Sequence, residues 1–136
     1  MPIIDRLTAA PGLAPGPGFA HAVTAAGRLA FISGQTAVDA DGRLVGPGDL
    51  AAQTRQALGN LHRVLHGLGA DWPDVARFTW YVTDTANVQI VRDIRDELIR
   101  PSLGDRPNPA STLVQVAALV RPEFLIEVDA VAALGD

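Results

Sequence analysis

Cysteine is missing altogether from this 136-residue chain. Its absence excludes disulfide staples, thiolate catalysis and cysteine-based metal sites, and is compatible with a reducing compartment. Aromatic residues are scarce, at 5%, so a core must be built from Ala, Val, Leu and Ile. No run approaches the ~18 apolar residues that a membrane span needs. The first ten residues carry Asp5 and Arg6 and no long apolar stretch, which does not read as a signal peptide. An excess of positive charge is lacking too. The formal net charge is -4, whereas a dedicated nucleic-acid binder usually shows a basic face. The expectation is a soluble cytoplasmic protein with no nucleic-acid or membrane partner.

What is present is ordinary for a globular domain, with 48% hydrophobic and 19% charged residues. The length suits one domain, residues 1–136, and not two. Residues 11–18, PGLAPGPG, form a breaker-rich loop. Strand segments follow around Ala20 and Ala22 and again around Leu29 and Phe31, with a turn at Ala26-Gly27 between them. Asp39-Ala40-Asp41-Gly42 signals another turn. Asp49 is a candidate N-cap. Beyond it Leu50, Thr54, Ala57, Leu58, Leu61, Val64, Leu65 and Leu68 recur at helical spacing, predicting an amphipathic helix of about five turns. Residues 75–83, VARFTWYVT, read as a strand. Asp84 to Asn87 opens a second helix with Val88, Val91, Ile94, Arg95 and Leu98 on one side, and Pro101 is expected to stop it. Two strands complete the pattern, Ser111–Leu119 and Phe124–Ala133, with Arg121-Pro122 turning between them.

The order ββαβαββ predicts an α+β fold: a single sheet with both helices on one face. Val114, Val116 and Val128 are assigned to the other face, and an apolar uncovered face calls for oligomerisation.

Common chemical motifs are absent. No phosphate loop, dinucleotide fingerprint or nucleophile elbow occurs. His62 and His66 have the i, i+4 spacing of a metal-binding pair, but no acidic third ligand is apparent in their segment, so a solvated helix face is expected. His21 stands alone. Arg92, Asp93, Arg95 and Asp96 read as a charged helix face, with Arg92 pairing Asp96 one turn on. Glu127 lies in an apolar strand, Phe124 to Val131. Two readings stay open for it. Either it points to solvent with Asp129, or it is a functional carboxylate whose burial needs a partner.

Several segments together, GPGFAHAV, FISGQ, LAAQTRQALGNL, VARFTWYVTD, NPASTLVQVAAL and IEVDAVA, resemble the Rid/YjgF family over nearly the whole chain. The resemblance implies a chorismate-mutase-like α+β subunit, three of which pack their sheets into a barrel with clefts between neighbours. It also implies hydrolysis of reactive enamines and imines to keto products and ammonia, with no cofactor and no metal. By the same resemblance Glu127 is the carboxylate that activates water, and Ser33 is a pocket serine. Phe19 stands where many members have tyrosine, Leu113 where many have cysteine, and Arg92 where many have asparagine. Ser111 replaces the arginine that holds a substrate carboxylate in Arg-bearing members. A serine hydroxyl supplies no fixed cationic fork, so the substrate is expected not to be a typical 2-imino acid. Arg92 is then a candidate anion handle, facing Glu127 or the substrate. A metabolite-binding trimer without turnover is the alternative, and endoribonuclease activity is disfavoured by the acidic charge.

Overall fold

A computed structural model describes residues 2–16 and 18–136. Within them the elements are β1 (Ile3–Leu7), β2 (Ala22–Ala25), β3 (Arg28–Gln35), α1 (Leu50–Gly67), β4 (Val75–Val82), α2 (Val88–Leu103), β5 (Ala110–Gln115) and β6 (Ile126–Gly135). The fold is α+β, with two helices and a mixed sheet.

Most elements lie where local chemistry puts them. Asp49 caps α1, its Oδ1 accepting from the Ala52 N–H at 3.0 Å. Asp39 Oδ1 accepts from the N–H groups of Asp41 and Arg43, closing the turn at Gly42. Gly27 turns β2 into β3 with φ +93° and lies so close to Gly135 that no side chain would fit. Pro17, in the breaker-rich loop, lies outside the described residues.

Four expectations need correction. The first concerns a strand that the sequence pattern does not announce: β1 pairs with β2 in a separate two-stranded ribbon, so the strands do not form a single sheet. IIDRL alternates poorly, and only Ile3 is buried, so its strand character comes from its partner. Second, Pro101 does not stop α2, which runs on to Leu103. Proline in a last turn forfeits only the one helical hydrogen bond its own nitrogen would donate, and Arg106 caps the helix end by donating to the carbonyls of Ser102 and Leu103. Third, β5 ends at Gln115 instead of Leu119.

The fourth correction concerns the faces of the sheet. The four-stranded sheet has the order β3-β6-β4-β5, and β5 is an edge strand parallel to β4. Phe78, Trp80 and Val82 of β4 and Ile126, Val128 and Ala130 of β6 are buried against Leu58, Leu61 and Leu65 of α1 and Val91, Ile94 and Ile99 of α2. Each such large side chain contributes ~1.5–3 kcal/mol by leaving water. Val128 therefore belongs to the covered face, and Val116 lies beyond β5. The uncovered face carries Thr79, Tyr81, Glu127 and Asp129, with Tyr81 paired to Glu127 and Thr79 to Asp129 across the strands. Its exposed apolar residues are Leu29, Phe31 and Val114, with Phe31 78% exposed.

Candidate functional site

The sheet divides the expected site residues into two groups. On the helix side, a cavity of about 330 Å³ is lined by Phe19, Trp80, Ser111, Leu113, Val91, Arg92 and Arg95, among others. The alternation of β5 sends Ser111 and Leu113 to this side beside Phe78 and Trp80, their partners on β4. The Trp80 indole N–H donates to Ser111 Oγ at 3.0 Å. Phe19, Arg92, Ser111 and Leu113 are thus brought together.

Arg95 is the residue that sequence reasoning misassigned. It is buried, and its Nε donates to Asp96 Oδ1 at 2.9 Å. Asn108 Nδ2 donates to the same oxygen and to the Gly18 carbonyl. Burial pushes the Asp96 carboxyl upward, but the hydrogen bond and charge of Arg95, with Asn108 and Arg100 behind them, outweigh it and hold the group below the ordinary range. The expected Arg92–Asp96 pair does not form, because Arg95 has taken the carboxylate. The signal was present in the sequence: an arginine on the apolar stripe of α2.

Glu127 and Ser33 lie on the other face. The register slips between Ile32 and Gln35, so Ser33 and Gly34 stand opposite the single residue Asp129. The Glu127 carboxylate lies over Gly34; a Cβ at that position would come 2.0 Å from its Oε2. Burial, then the charge of Asp129, pushes the Glu127 carboxyl above the ordinary glutamate value. Among the described residues Glu127 accepts no hydrogen bond, whereas Asp129 accepts one from the Tyr81 hydroxyl at 2.9 Å. That bond, reinforced by burial and by the neighbouring carboxylates, raises the Tyr81 phenol. Glu127 shares the uncovered face with Asp129 and is half-buried there. Within one chain Arg92 and Leu113 do not face Glu127, because the sheet lies between them.

The His62–His66 pair does have an acidic neighbour. Asp71 Oδ1 lies 2.8 Å from His62 Nε2 and 3.8 Å from His66 Nε2, brought there by the turn after α1. The same oxygen accepts from the Trp72 N–H. Burial raises the Asp71 carboxyl, but these contacts more than offset it and leave it lowered. The three residues could satisfy a cation by distance; Asp71 is already engaged as the cap of the 3₁₀ turn Trp72–Asp74. His21 Nε2 meets the Ala14 carbonyl at 2.9 Å.

The model of the family described as Endoribonuclease L-PSP matches residues 10–134. This chain belongs to the Rid/YjgF family. A bovine member named 2-iminobutanoate/2-iminopropanoate deaminase is 34% identical over 109 residues, covering 79% of this chain and 74% of that protein. Among solved structures, a Rid-family protein from Yersinia pestis is 38% identical with a TM-score of 0.84, covering 98% of this chain and all of its own. A YjgF-family member from Mycobacterium tuberculosis is 32% identical with a TM-score of 0.66, covering 86% of this chain and 87% of its own. The family connection extends to an imine deaminase by name. In this Rid/YjgF chain, therefore, the cavity at Ser111 and the carboxylate at Glu127 are the two features to be explained together. Of the described residues, no helix is long and apolar enough to cross a membrane.

Proposed function

We propose that this protein hydrolyses the carbon–nitrogen bond of a small reactive enamine or imine, without a cofactor, in a cleft completed by a second copy of the chain. One observation carries the reading: Glu127 is a half-buried carboxylate with a raised pKa that accepts no hydrogen bond among the described residues, lying over Gly34, the neighbour of Ser33 in β3, on the uncovered sheet face. A carboxylate so prepared takes a proton from water as the oxygen attacks the imine carbon, giving a carbinolamine. The resulting carboxylic acid returns that proton to nitrogen; the carboxylate then takes the carbinolamine hydroxyl proton and passes it to the departing nitrogen as the carbon–nitrogen bond breaks, so that ammonia leaves and the carbonyl product remains. Such acid–base assistance typically contributes 10²–10⁴-fold. The chain contains no lysine, so a side-chain Schiff base plays no part.

The opposite placement of the two groups supports an assembly. β5 is an edge strand, and seating the uncovered face of one copy against the β5–α2 edge of the next would join Glu127 and Ser33 to Phe19, Ser111 and Leu113. Exposed Phe31, Leu29 and Val114 supply the apolar contact. A homotrimer is expected; light scattering that returns a monomer mass at micromolar concentration would defeat it.

The preferred substrate is not a typical 2-imino acid. Ser111 offers one neutral hydroxyl where Arg-bearing members offer a charged fork, and a charge-assisted contact is worth ~1.5–3 kcal/mol, roughly 10- to 150-fold. Hydrolysis of 2-iminopropanoate generated in situ should be slower than by an Arg-bearing relative by about that factor. Equal rates would remove Ser111 as the determinant. RNA cleavage is not favoured, given the acidic charge and sparse aromatics.

A further inference from the structure

The cavity beneath α2 holds a cation that no strand supplies. Arg95 is 8% exposed, with its side chain 10% exposed, yet it lines the cavity. A guanidinium has five N–H donors. Among the described residues Arg95 uses only Nε in a hydrogen bond, to Asp96. That bond turns the Nε edge toward Asp96 and leaves the two terminal nitrogens without an acceptor among the described residues. Gly18 fixes the other side: a Cβ there would come 2.5 Å from Nη2, so the guanidinium lies directly against the loop backbone. Asp96 already pairs the buried guanidinium, so the terminal nitrogens remain as donors for an anion that enters the cavity as a second counter-ion.

The opposite wall is matched to such a counter-ion. Ser111 Oγ already accepts from Trp80 Nε1, so its own proton is free to be donated into the cavity. Phe19, Val91 and Leu113 make the remaining wall apolar. Arg92 shares the cavity but is only half-buried and makes no hydrogen bond among the described residues, so it is less pre-organised.

We propose that this cavity binds a small carboxylate through the terminal nitrogens of Arg95, with Asp96 as the positioning residue behind the guanidinium and the Ser111 hydroxyl as a second donor. The proposal deepens the deaminase reading by naming the substrate's handle, and rests on that reading only for the chemistry after binding. The handle comes from α2 instead of β5. A cationic fork on α2 meets the carboxylate from a different direction than an arginine on β5 would, so carboxylate binding is compatible with slow turnover of 2-imino acids.

The test is calorimetric titration of the intact protein with propanoate and 2-oxobutanoate. Arg95→Gln is expected to weaken binding at least tenfold, about 1.4 kcal/mol. Arg95→Lys, which keeps the charge but loses the fork, should fall between. Arg28→Gln, which removes an exposed charge on β3, controls for net charge. Unaltered binding in Arg95→Gln, no binding of either carboxylate by the wild type, or a loss carried by Arg92→Gln instead would each overturn the proposal. Should Arg95→Gln misfold, a crystal structure of the wild type soaked with 2-oxobutanoate decides: carboxylate oxygens within hydrogen-bond distance of Arg95 Nη1 or Nη2 support it, and any other seat refutes it. Because the readout is binding, it stands apart from turnover: loss in Arg95→Gln with a fully active Glu127→Gln would retain the carboxylate site and discard the deaminase mechanism.

Discussion

Glu127→Gln should reduce hydrolysis by roughly 10²–10⁴-fold, the usual contribution of a positioned acid–base group, while leaving the oligomer unchanged. Glutamine preserves shape and removes only the titrating proton. The wild-type pH profile should carry the same signature. Glu127 works as a base in its ionised form, and its carboxyl is raised by burial and by Asp129. The acid limb of kcat/KM should therefore lie above the ordinary glutamate value, and the limb should vanish in any residual activity of the variant. Stability moves the other way. A carboxyl raised in the folded state favours folding when protonated, and that contribution is lost as pH rises through the raised value. At neutral pH the ionised group is a burden, so Glu127→Gln should melt no lower than the wild type. An active Glu127→Gln, measured on an imine the wild type hydrolyses, would leave the metabolite-binding alternative in possession.

The sequence exposed this carboxylate because β6 alternates cleanly: Glu127 and Asp129 interleave with Ile126, Val128 and Ala130, and the structure buries the second set. Helix α1 was equally legible, since its period and its Asp49 cap are local properties. What escaped depends on distant pairing. Valines at 114 and 128 look alike in sequence, but the pairing sets Val114 beside Tyr81 and Val128 beside Trp80, neighbours in β4 that point to opposite faces. The strand β1 exists because β2 meets it. Asp71 meets His62 across a turn and a change of chain direction that spacing alone does not encode. Arg95 was legible as a misfit on an apolar stripe; its capture of Asp96 ahead of Arg92 depends on Asn108 and Gly18, which come from two distant loops.

Gly34→Ala tests the geometry of the carboxylate without touching it. The residue sits in the irregular stretch of β3 and is exposed. Its φ is not positive, so alanine fits the backbone, and a surface change of this kind usually stays within about 0.5 kcal/mol of the wild type. The new methyl, however, would lie 2.0 Å from Glu127 Oε2 and 2.7 Å from its Cδ. The flexible end of the glutamate yields more cheaply than the sheet, so the carboxylate swings away. A displacement of about 1 Å at a reacting group can cost ~10²-fold. Expected, then, is a protein with unaltered melting temperature and oligomeric state, with hydrolysis down by about that factor. Combining the change with Glu127→Gln should bring no further loss, because both act through one carboxylate. Full activity in Gly34→Ala would mean that the reacting water is not held where Glu127 now lies.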